Sequence, residues 1–154
     1  MRRATVADLP AIIGLLADDP LGRKRESPGL PLDARYLAAF EEIAADPGQL
    51  LAVATLAGKV VGCLQLTFIP GLSRLGSRRA LIEGVRVAAT CRGRGIGEDM
   101  IEWAKQEALR RDCRILQLTT DRAREDAHRF YARLGFVASH VGMKCELGDA
   151  HRCD

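Results

Sequence analysis

The chain has few aromatic residues and no long apolar run. Only 5% of its 154 residues are aromatic, with a single Trp, and its 47% hydrophobic residues are interspersed with charged ones. No apolar segment reaches the roughly 20 residues of a membrane-spanning helix, and no apolar signal core follows Met1–Thr5. We therefore expect a soluble protein without a membrane partner.

An excess of charge of one sign is also missing. The chain has 23 Lys and Arg against 20 Asp and Glu, which gives a formal net charge of +3. The two signs are mixed along most of the sequence. It lacks the basic stripe with interleaved aromatic residues that marks many nucleic-acid-binding domains. We expect no nucleic acid as partner.

Five cysteines occur without a CxxC pair. An odd number, without the spacing of a disulfide framework, is typical of free thiols in a reducing compartment, so we predict a cytoplasmic protein. The C-terminal group of Cys145, His151 and Cys153 lacks four well-spaced ligands. We predict no metal site.

Length and pattern indicate one domain, 1–147, followed by a tail at 148–154. The sequence shows no internal repeat, low-complexity segment or dividing linker. Its apolar periodicity predicts a mixed α/β fold with strands in the centre and helices covering them. The predicted elements are a strand at Met1–Ala4, helices capped by Thr5 and Asp33, strands at Gln49–Leu56, Lys59–Ile69 and Ala80–Val87, a helix at Gly95–Arg111, a strand at Arg114–Thr119, a short helix ended by Gly135, and strands at Phe136–Ser139 and Val141–Glu146.

The most informative segment is Arg92–Gly97, which has glycines at positions 93, 95 and 97. It joins a predicted strand to a predicted helix. A glycine-rich turn at a helix start exposes unpaired backbone N–H groups to an anion, most often phosphate. Glycines also suit a tight turn, but three of them beside two arginines favour a ligand. The spacing fits neither a Rossmann turn nor a P-loop.

Two motifs resemble the GCN5-related N-acetyltransferases, the GNAT superfamily. Arg92–Gly97 matches the family's R/Q-x-x-G-x-G/A signature, and Ala127–Phe136 is similar to its A-x-x-F-Y-x-x-x-G-F motif. Ile82–Val87 resembles the central strand, and the order of elements agrees over essentially the whole chain. The resemblance implies a mostly antiparallel central sheet with one splayed parallel pair, helices on both faces, and acetyl-coenzyme A (acetyl-CoA) as the acetyl donor.

The resemblance also implies how the cofactor is bound. The pantetheine arm of coenzyme A (CoA) lies along the central strand like an added strand, and the glycine turn wraps the pyrophosphate. Many members have an Asn where this chain has Arg124, so Arg124 either binds a CoA phosphate or is solvated. The expected cofactor-binding residues are Val85, Arg86, Val87, Arg92, Gly93, Arg94, Gly95, Ile96, Gly97, Arg124 and Tyr131.

Tyr131 is the first candidate catalytic residue. It matches the family tyrosine that hydrogen-bonds the thioester sulfur and can protonate the departing thiolate. A phenol with a pKa near 10 holds its proton at neutral pH and is therefore a suitable donor. A half-buried Tyr that only packs a helix is the alternative.

Glu83 is the second candidate catalytic residue. A lone carboxylate in an otherwise apolar strand is costly unless it is paired or lines a cavity. A salt bridge to Arg78 or Arg86 is one explanation. We favour the other, a general base that takes a proton from the acceptor ammonium, because family members often carry Glu here. Partial burial would raise its pKa toward the useful range.

We predict an N-acetyltransferase in which a primary amine of a small molecule or peptide attacks acetyl-CoA directly in a ternary complex. The acceptor should contact Leu21–Leu32, the second helix and Pro70–Arg79. Arginines there suit a carboxylate or phosphate on the acceptor, although a solvated loop explains them equally well. The alternatives are a non-catalytic acyl-CoA-binding or regulatory module and a toxin-type acetyltransferase acting on aminoacyl-tRNA. Dimers are common in the family, and the sequence leaves a homodimer open.

Overall fold

The structure, a computed structural model, describes residues 1–18, 22–145 and 147. By its contacts the chain forms two compact units, Met1–Leu118 and a second that begins at Thr119. The first unit contains the whole sheet and the glycine turn. The predicted tail at 148–154 lies outside the described residues, and the domain bounds 1–147 stay a prediction.

The first unit is built on one five-stranded sheet. Its strands are β1 (Arg2–Arg3), β2 (Gln49–Leu56), β3 (Lys59–Ile69), β4 (Arg78–Val87) and β5 (Cys113–Leu118), in that spatial order. The pairs from β1 to β4 are antiparallel, and β4 pairs with β5 in parallel. The predicted mixed sheet with one parallel pair is confirmed.

Helices precede and connect these strands. They are α1 (Leu9–Ala17), α2 (Ala34–Ala45), the single turn α3 (Ser73–Gly76), α4 (Ile96–Arg110) and, in the second unit, α5 (Glu125–Arg133). The Asp33 side chain accepts a hydrogen bond from Arg35 N and caps α2 as predicted. The α3 turn is irregular because Arg74 and Leu75 have positive φ of 55° and 58°.

A carboxylate clamp fixes the start of the chain. Asp8 accepts hydrogen bonds from both Nη atoms of Arg2, each at 2.7 Å, and from the backbone N and Oγ1 of Thr5 at 2.8 and 3.0 Å. The Arg2 guanidinium holds the pKa of this buried carboxyl well below its usual range, with Thr5 adding to the effect. The clamp thus joins β1 to the beginning of α1.

Helices cover both faces of the sheet, as predicted. On one face, Ile12 and Leu15 of α1 form a buried cluster with Val53 and Cys63. On the other, α4 comes so close to β3 that a Cβ at Gly62 would lie 2.7 Å from the Met100 sulfur. Gly62 therefore allows the close packing of α4 against the sheet.

The two closing strands predicted at Phe136–Ser139 and Val141–Glu146 are not found. Residues 136–145 carry no strand in the structure, and residue 146 lies outside its description. The positive φ of 87° at Gly135 ends α5 as expected, but Val137 and Val141 beyond it are exposed. Alternating apolar residues favour a strand only where a neighbouring strand supplies hydrogen bonds and packing.

Candidate active site

Strands β4 and β5 separate in the middle of β4. Their last pair is Ile82 with Leu118, so the stretch Glu83–Val87 has no β5 neighbour in the described structure. Unpaired backbone groups on a strand edge can bind an extended ligand as an added strand. The geometry confirms the splayed pair and leaves an edge open where the pantetheine arm is expected.

A β-bulge shapes this part of β4. Gln65 pairs with Glu83 whereas Cys63 pairs with Arg86, so β4 has one residue more than β3 between these pairs. Gly84 supports the bulge with a φ of 60°, which a residue with a side chain adopts at a cost. The Cys63 thiol donates a 3.5 Å hydrogen bond to the Gly84 carbonyl. Burial raises the pKa of Cys63 to about 12, so the thiol keeps its proton.

The glycine turn opens α4 without a side-chain cap among the described residues. Gly93 and Gly95 have φ of 73° and 80°, and Gly95 is the N-cap. A Cβ at either position would meet nothing within 4 Å, so the space beside the turn is open. Gly97 lies inside the helix without a positive φ. Turn geometry therefore explains two of the three glycines.

The Arg92 side chain connects three segments of the first unit. Its Nε donates to the Val87 carbonyl at 3.1 Å, and its Nη2 lies 3.2 Å from Oδ2 of Asp18, the residue that ends α1. Arg94, in contrast, is exposed on the turn. Arg92 thus holds the turn against the end of β4 and the end of α1, and its contact with a pyrophosphate stays a prediction.

Glu83 is exposed, which corrects the expected partial burial. Period-2 patterning places a residue on a face of the sheet but does not say what covers that face. Among the described residues, Glu83 makes no ion pair with Arg78 or Arg86. Arg86 is half-buried and its Nη1 donates to the Val85 carbonyl at 2.9 Å. Among the described residues no ion pair with Arg78 or Arg86 accounts for Glu83, and its role as a general base stays a prediction.

Tyr131 and Arg124 belong to the second unit. Tyr131 lies half-buried in α5, where its ring meets Phe130 and Phe136 edge to face at centroid distances of 5.1 and 5.7 Å. Arg124 is the exposed N-cap residue of α5. The aromatic packing fixes the Tyr131 ring, while its catalytic role stays a prediction.

The loop after α1 is tied to α2 by a tyrosine that sequence reasoning missed. The Tyr36 hydroxyl donates to Glu26 at 2.8 Å and accepts from the backbone N of Ser27 at 2.9 Å. The loop predicted at Leu21–Leu32 contains a short 3-10 turn at Gly22–Lys24, and residues 19–21 lie outside the described structure. The sequence does contain a signal for this contact. Tyr36 is one of only two tyrosines and stands at the start of a predicted helix, beside a polar loop.

Two of the arginines expected near an anionic acceptor line an open cavity. Arg74 and Arg78, together with Arg114, line this cavity of about 510 Å³. Arg78 begins β4, five residues before Glu83, which corresponds to about 17 Å at roughly 3.3 Å per residue.

The described residues offer neither a metal-binding cluster nor a membrane-spanning helix. No group of three or more His, Cys, Asp or Glu side chains is arranged to hold a metal ion there. None of the helices in that part of the chain is long and apolar enough to cross a membrane.

Comparison with known proteins decides the family. Residues 15–136, about four fifths of the chain, match the model of the acetyltransferase (GNAT) family. The chain belongs to the GNAT family. The matched range includes the bulged β4 and the glycine turn at the start of α4.

Individual relatives are similar over most of their length. An aminoalkylphosphonate N-acetyltransferase of Salmonella typhimurium is 29% identical over 146 residues, 91% of this chain and 86% of that protein. A crystal structure of a transcriptional regulator from Bacillus halodurans is 50% identical, with a TM-score of 0.92 and coverage of 94% and 97% of the two chains. A putative acetyltransferase from Agrobacterium tumefaciens is 30% identical, with a TM-score of 0.83 and the same coverage. As a GNAT protein with a named N-acetyltransferase relative, the chain is an N-acetyltransferase that uses acetyl-CoA.

Proposed function

We propose that the chain transfers the acetyl group of acetyl-CoA to a primary amine of a small molecule by direct attack in a ternary complex. One observation carries the proposal. The open edge Glu83–Val87 of β4 leads, within one compact unit, to the glycine turn at the start of α4. An extended arm that ends in a pyrophosphate fits such a strand edge followed by a helix N-terminus.

Gly97 supports a ligand at the turn. A glycine inside a helix costs about 0.5–1 kcal/mol relative to alanine, and here no positive φ requires it. A residue without a side chain is needed where a phosphate approaches the helix backbone closely. Ile96 and Gly97 thus offer backbone N–H groups, and Arg94 supplies positive charge beside them.

The proposed chemistry assigns one role to each group. Glu83 takes a proton from the acceptor ammonium, directly or through a water, and its exposure leaves it accessible to that ammonium. The amine nitrogen then attacks the thioester carbonyl carbon, and the backbone N–H near Val85 stabilises the developing oxyanion. The C–S bond breaks with its electron pair going to sulfur, and the Tyr131 hydroxyl gives its proton to the thiolate. The new amide nitrogen then loses its second proton, which returns Tyr131 to the neutral phenol.

The acceptor class is suggested by the relatives. The Salmonella protein is named for aminoalkylphosphonates, which are small primary amines, and we extend only that size class to this chain. The free cysteines Cys63, Cys91 and Cys113, all buried, support a reducing and hence cytoplasmic location.

The name of one relative favours a second possible role, regulation. The 50% identical Bacillus protein is called a transcriptional regulator, so regulation through acyl-CoA binding is the second candidate. Turnover separates the two, because a regulatory module would bind acetyl-CoA without releasing CoA in the presence of amines.

The test combines binding and turnover. Isothermal titration with acetyl-CoA should show saturable binding below millimolar ligand, and thiol release should follow on addition of amines. The amines are amino alcohols, amino acids, polyamines, aminoglycosides and short peptides. An absence of binding would contradict the donor site, whereas binding without thiol release from every amine would favour the regulatory role.

A further inference from the structure

A row of polar side chains crosses the sheet beside Glu83. Gln65 of β3 pairs with Glu83 of β4, and Thr67 of β3 pairs with Gln49 of β2. Paired residues of antiparallel strands, and residues two apart on one strand, share a face of the sheet. Gln49, Gln65, Thr67 and Glu83 therefore lie on one face, with Gln65 and Glu83 about 5 Å apart at their Cβ atoms.

Apolar neighbours border this row. Leu51, which pairs with Gln65 on the side away from Glu83, packs against the buried cluster under α1. Gln49, Gln65 and Thr67 are half-buried. Three polar residues in strands that are otherwise mainly apolar are costly unless they hydrogen-bond, so their partners need to be accounted for.

The row is organised by a single acceptor atom. Oε1 of Gln49 accepts hydrogen bonds from Nε2 of Gln65 at 3.0 Å and from Oγ1 of Thr67 at 2.9 Å. These two bonds hold the three side chains in one arrangement. In the described part of the chain, they leave Nε2 of Gln49 as a donor and Oε1 of Gln65 as an acceptor for a ligand.

This donor and acceptor pattern suits a hydroxyl group. A hydroxyl both donates and accepts, so it can bond to Gln65 and Gln49 together. A phosphonate or carboxylate only accepts, and it would also face the like charge of Glu83. Arg78 and Arg111 line a cavity of about 530 Å³ with Gln49 and Thr67, but neither Gln65 nor Glu83 lines it. Arg79 lies on the same face four residues before Glu83, about 13 Å along the strand.

We propose that Gln49, Gln65 and Thr67 form the acceptor subsite and that they select an amine that carries a neutral hydroxyl group close to its amino group. The inference rests on the proposed function, since it needs Glu83 at the reacting amine. The acceptor's ammonium lies at Glu83, and its hydroxyl lies about one residue spacing away on Gln65. Such an acceptor is an amino alcohol or an amino sugar rather than an anionic amine.

The wild-type enzyme tests the class with three small amines. Ethanolamine and n-propylamine differ by a hydroxyl in place of a methyl group, and 2-aminoethylphosphonate places an anion on the same short chain. At equal concentrations of free-base amine, kcat/KM for ethanolamine should exceed that for n-propylamine by about 3–10-fold, as one hydrogen bond allows, and should also exceed that for the phosphonate. A preference for the phosphonate, or no preference for ethanolamine over n-propylamine, would overturn the proposal.

Variants test whether the preference for ethanolamine over n-propylamine depends on the subsite residues. Gln65→Leu should reduce the ethanolamine to n-propylamine ratio of kcat/KM toward 1, and titration with acetyl-CoA should show that donor binding is retained. Gln106→Leu, the same change on the exposed side of α4, should keep the wild-type ratio. Thr67→Val, which removes a bond to Gln49 with little change in volume, gives a second measurement if the first variant unfolds.

Two failures are distinguishable. If wild-type protein binds acetyl-CoA but acetylates none of the amines, the proposed function is wrong, and the subsite proposal that rests on it is wrong too. If it acetylates all three, and Gln65→Leu and Thr67→Val change them equally, the acetyltransferase assignment stands and the subsite assignment is wrong.

Discussion

The Cys63 thiol donates a hydrogen bond to the Gly84 carbonyl across β3 and β4, with 3.5 Å between the sulfur and the oxygen. The bond lies at the bulge that separates the Glu83 pair from the Arg86 pair. The high pKa of Cys63, about 12, keeps the thiol a donor at every physiological pH. A buried side chain thus helps to set the position of Glu83 from the opposite strand.

Cys63→Ala should therefore affect both stability and turnover. Loss of the buried contact and hydrogen bond should lower the free energy of unfolding by about 1–2 kcal/mol, and a less defined bulge should lower kcat. Denaturant unfolding and steady-state kinetics measure the two effects. Cys113→Ala, at a buried position at the start of β5, is the control and should lose stability without a specific loss of kcat. Equal kcat in all three proteins would contradict the role of Cys63 at the bulge.

Glu83→Gln should lower kcat by about 100-fold, because a general base contributes roughly 10²–10⁴-fold. Acetyl-CoA affinity should be unchanged, since the substitution leaves the backbone of β4 intact. The exposed Glu102→Gln in α4 is the matched control. A variant that turns over at the wild-type rate across the pH range would remove Glu83 from the mechanism.

Tyr131→Phe should lower kcat with little change in acetyl-CoA affinity. The ring contacts with Phe130 and Phe136 survive the substitution, so only the hydroxyl is tested. Tyr36→Phe removes the other tyrosine hydroxyl, which binds Glu26 and Ser27 in the loop after α1. It should raise the KM for the acceptor rather than lower kcat. Unchanged turnover in Tyr131→Phe would leave the tyrosine with a packing role only.

Gly95→Ala should weaken acetyl-CoA binding by about tenfold. A side chain at φ of 80° costs about 1–2 kcal/mol, and relief of that strain would turn the backbone N–H groups of the glycine turn. Gly14→Ala is the contrast, because Gly14 lies inside α1 with open space around it and should gain about 0.5–1 kcal/mol of stability. Titration calorimetry and thermal unfolding report the two outcomes. Wild-type affinity in Gly95→Ala would argue against a pyrophosphate at the turn.

Asp8→Asn should destabilise the protein by about 1–3 kcal/mol at neutral pH, since it replaces a buried charged acceptor of several hydrogen bonds. The folded-state pKa of Asp8 is lowered by Arg2. Its stabilisation is therefore full above the unfolded pKa of roughly 4 and is lost as the pH falls through the folded value.

The difference in unfolding free energy between wild type and Asp8→Asn should accordingly shrink below about pH 4. Asp126→Asn removes a carboxylate that is 97% exposed and should change stability by less than about 0.5 kcal/mol. A pH-independent difference for Asp8→Asn would show that the clamp does not depend on the ionised carboxylate.

Local signals predicted most of the first unit. The bounds of β2 and β3 were predicted to the residue because Ala57 and Gly58 form a tight turn, with φ of 49° and 76°, that delimits both strands. The glycine turn and the helix after it could also be predicted, because alternating glycines and a 3.6-residue apolar period are properties of the local sequence.

The missed features depend on partners distant in sequence. The bulge at Gly84 exists only in the register of β4 against β3, and the exposure of Glu83 depends on which helices cover that face. The bonds from Gln65 and Thr67 to Gln49 likewise join residues more than a dozen positions apart. The strands predicted after Gly135 had a strand-like pattern but lacked a partner that periodicity could identify.

The open edge of β4 has a consequence for the unliganded protein in solution. A bare strand edge is a template on which a second chain can add its own strand, and such edges promote aggregation. Here the edge carries an acidic residue, Glu83, and a basic one, Arg86, three positions apart. Charged side chains are one means by which proteins keep a strand edge from pairing with another chain, and the part of β4 that lacks a β5 neighbour carries two of them.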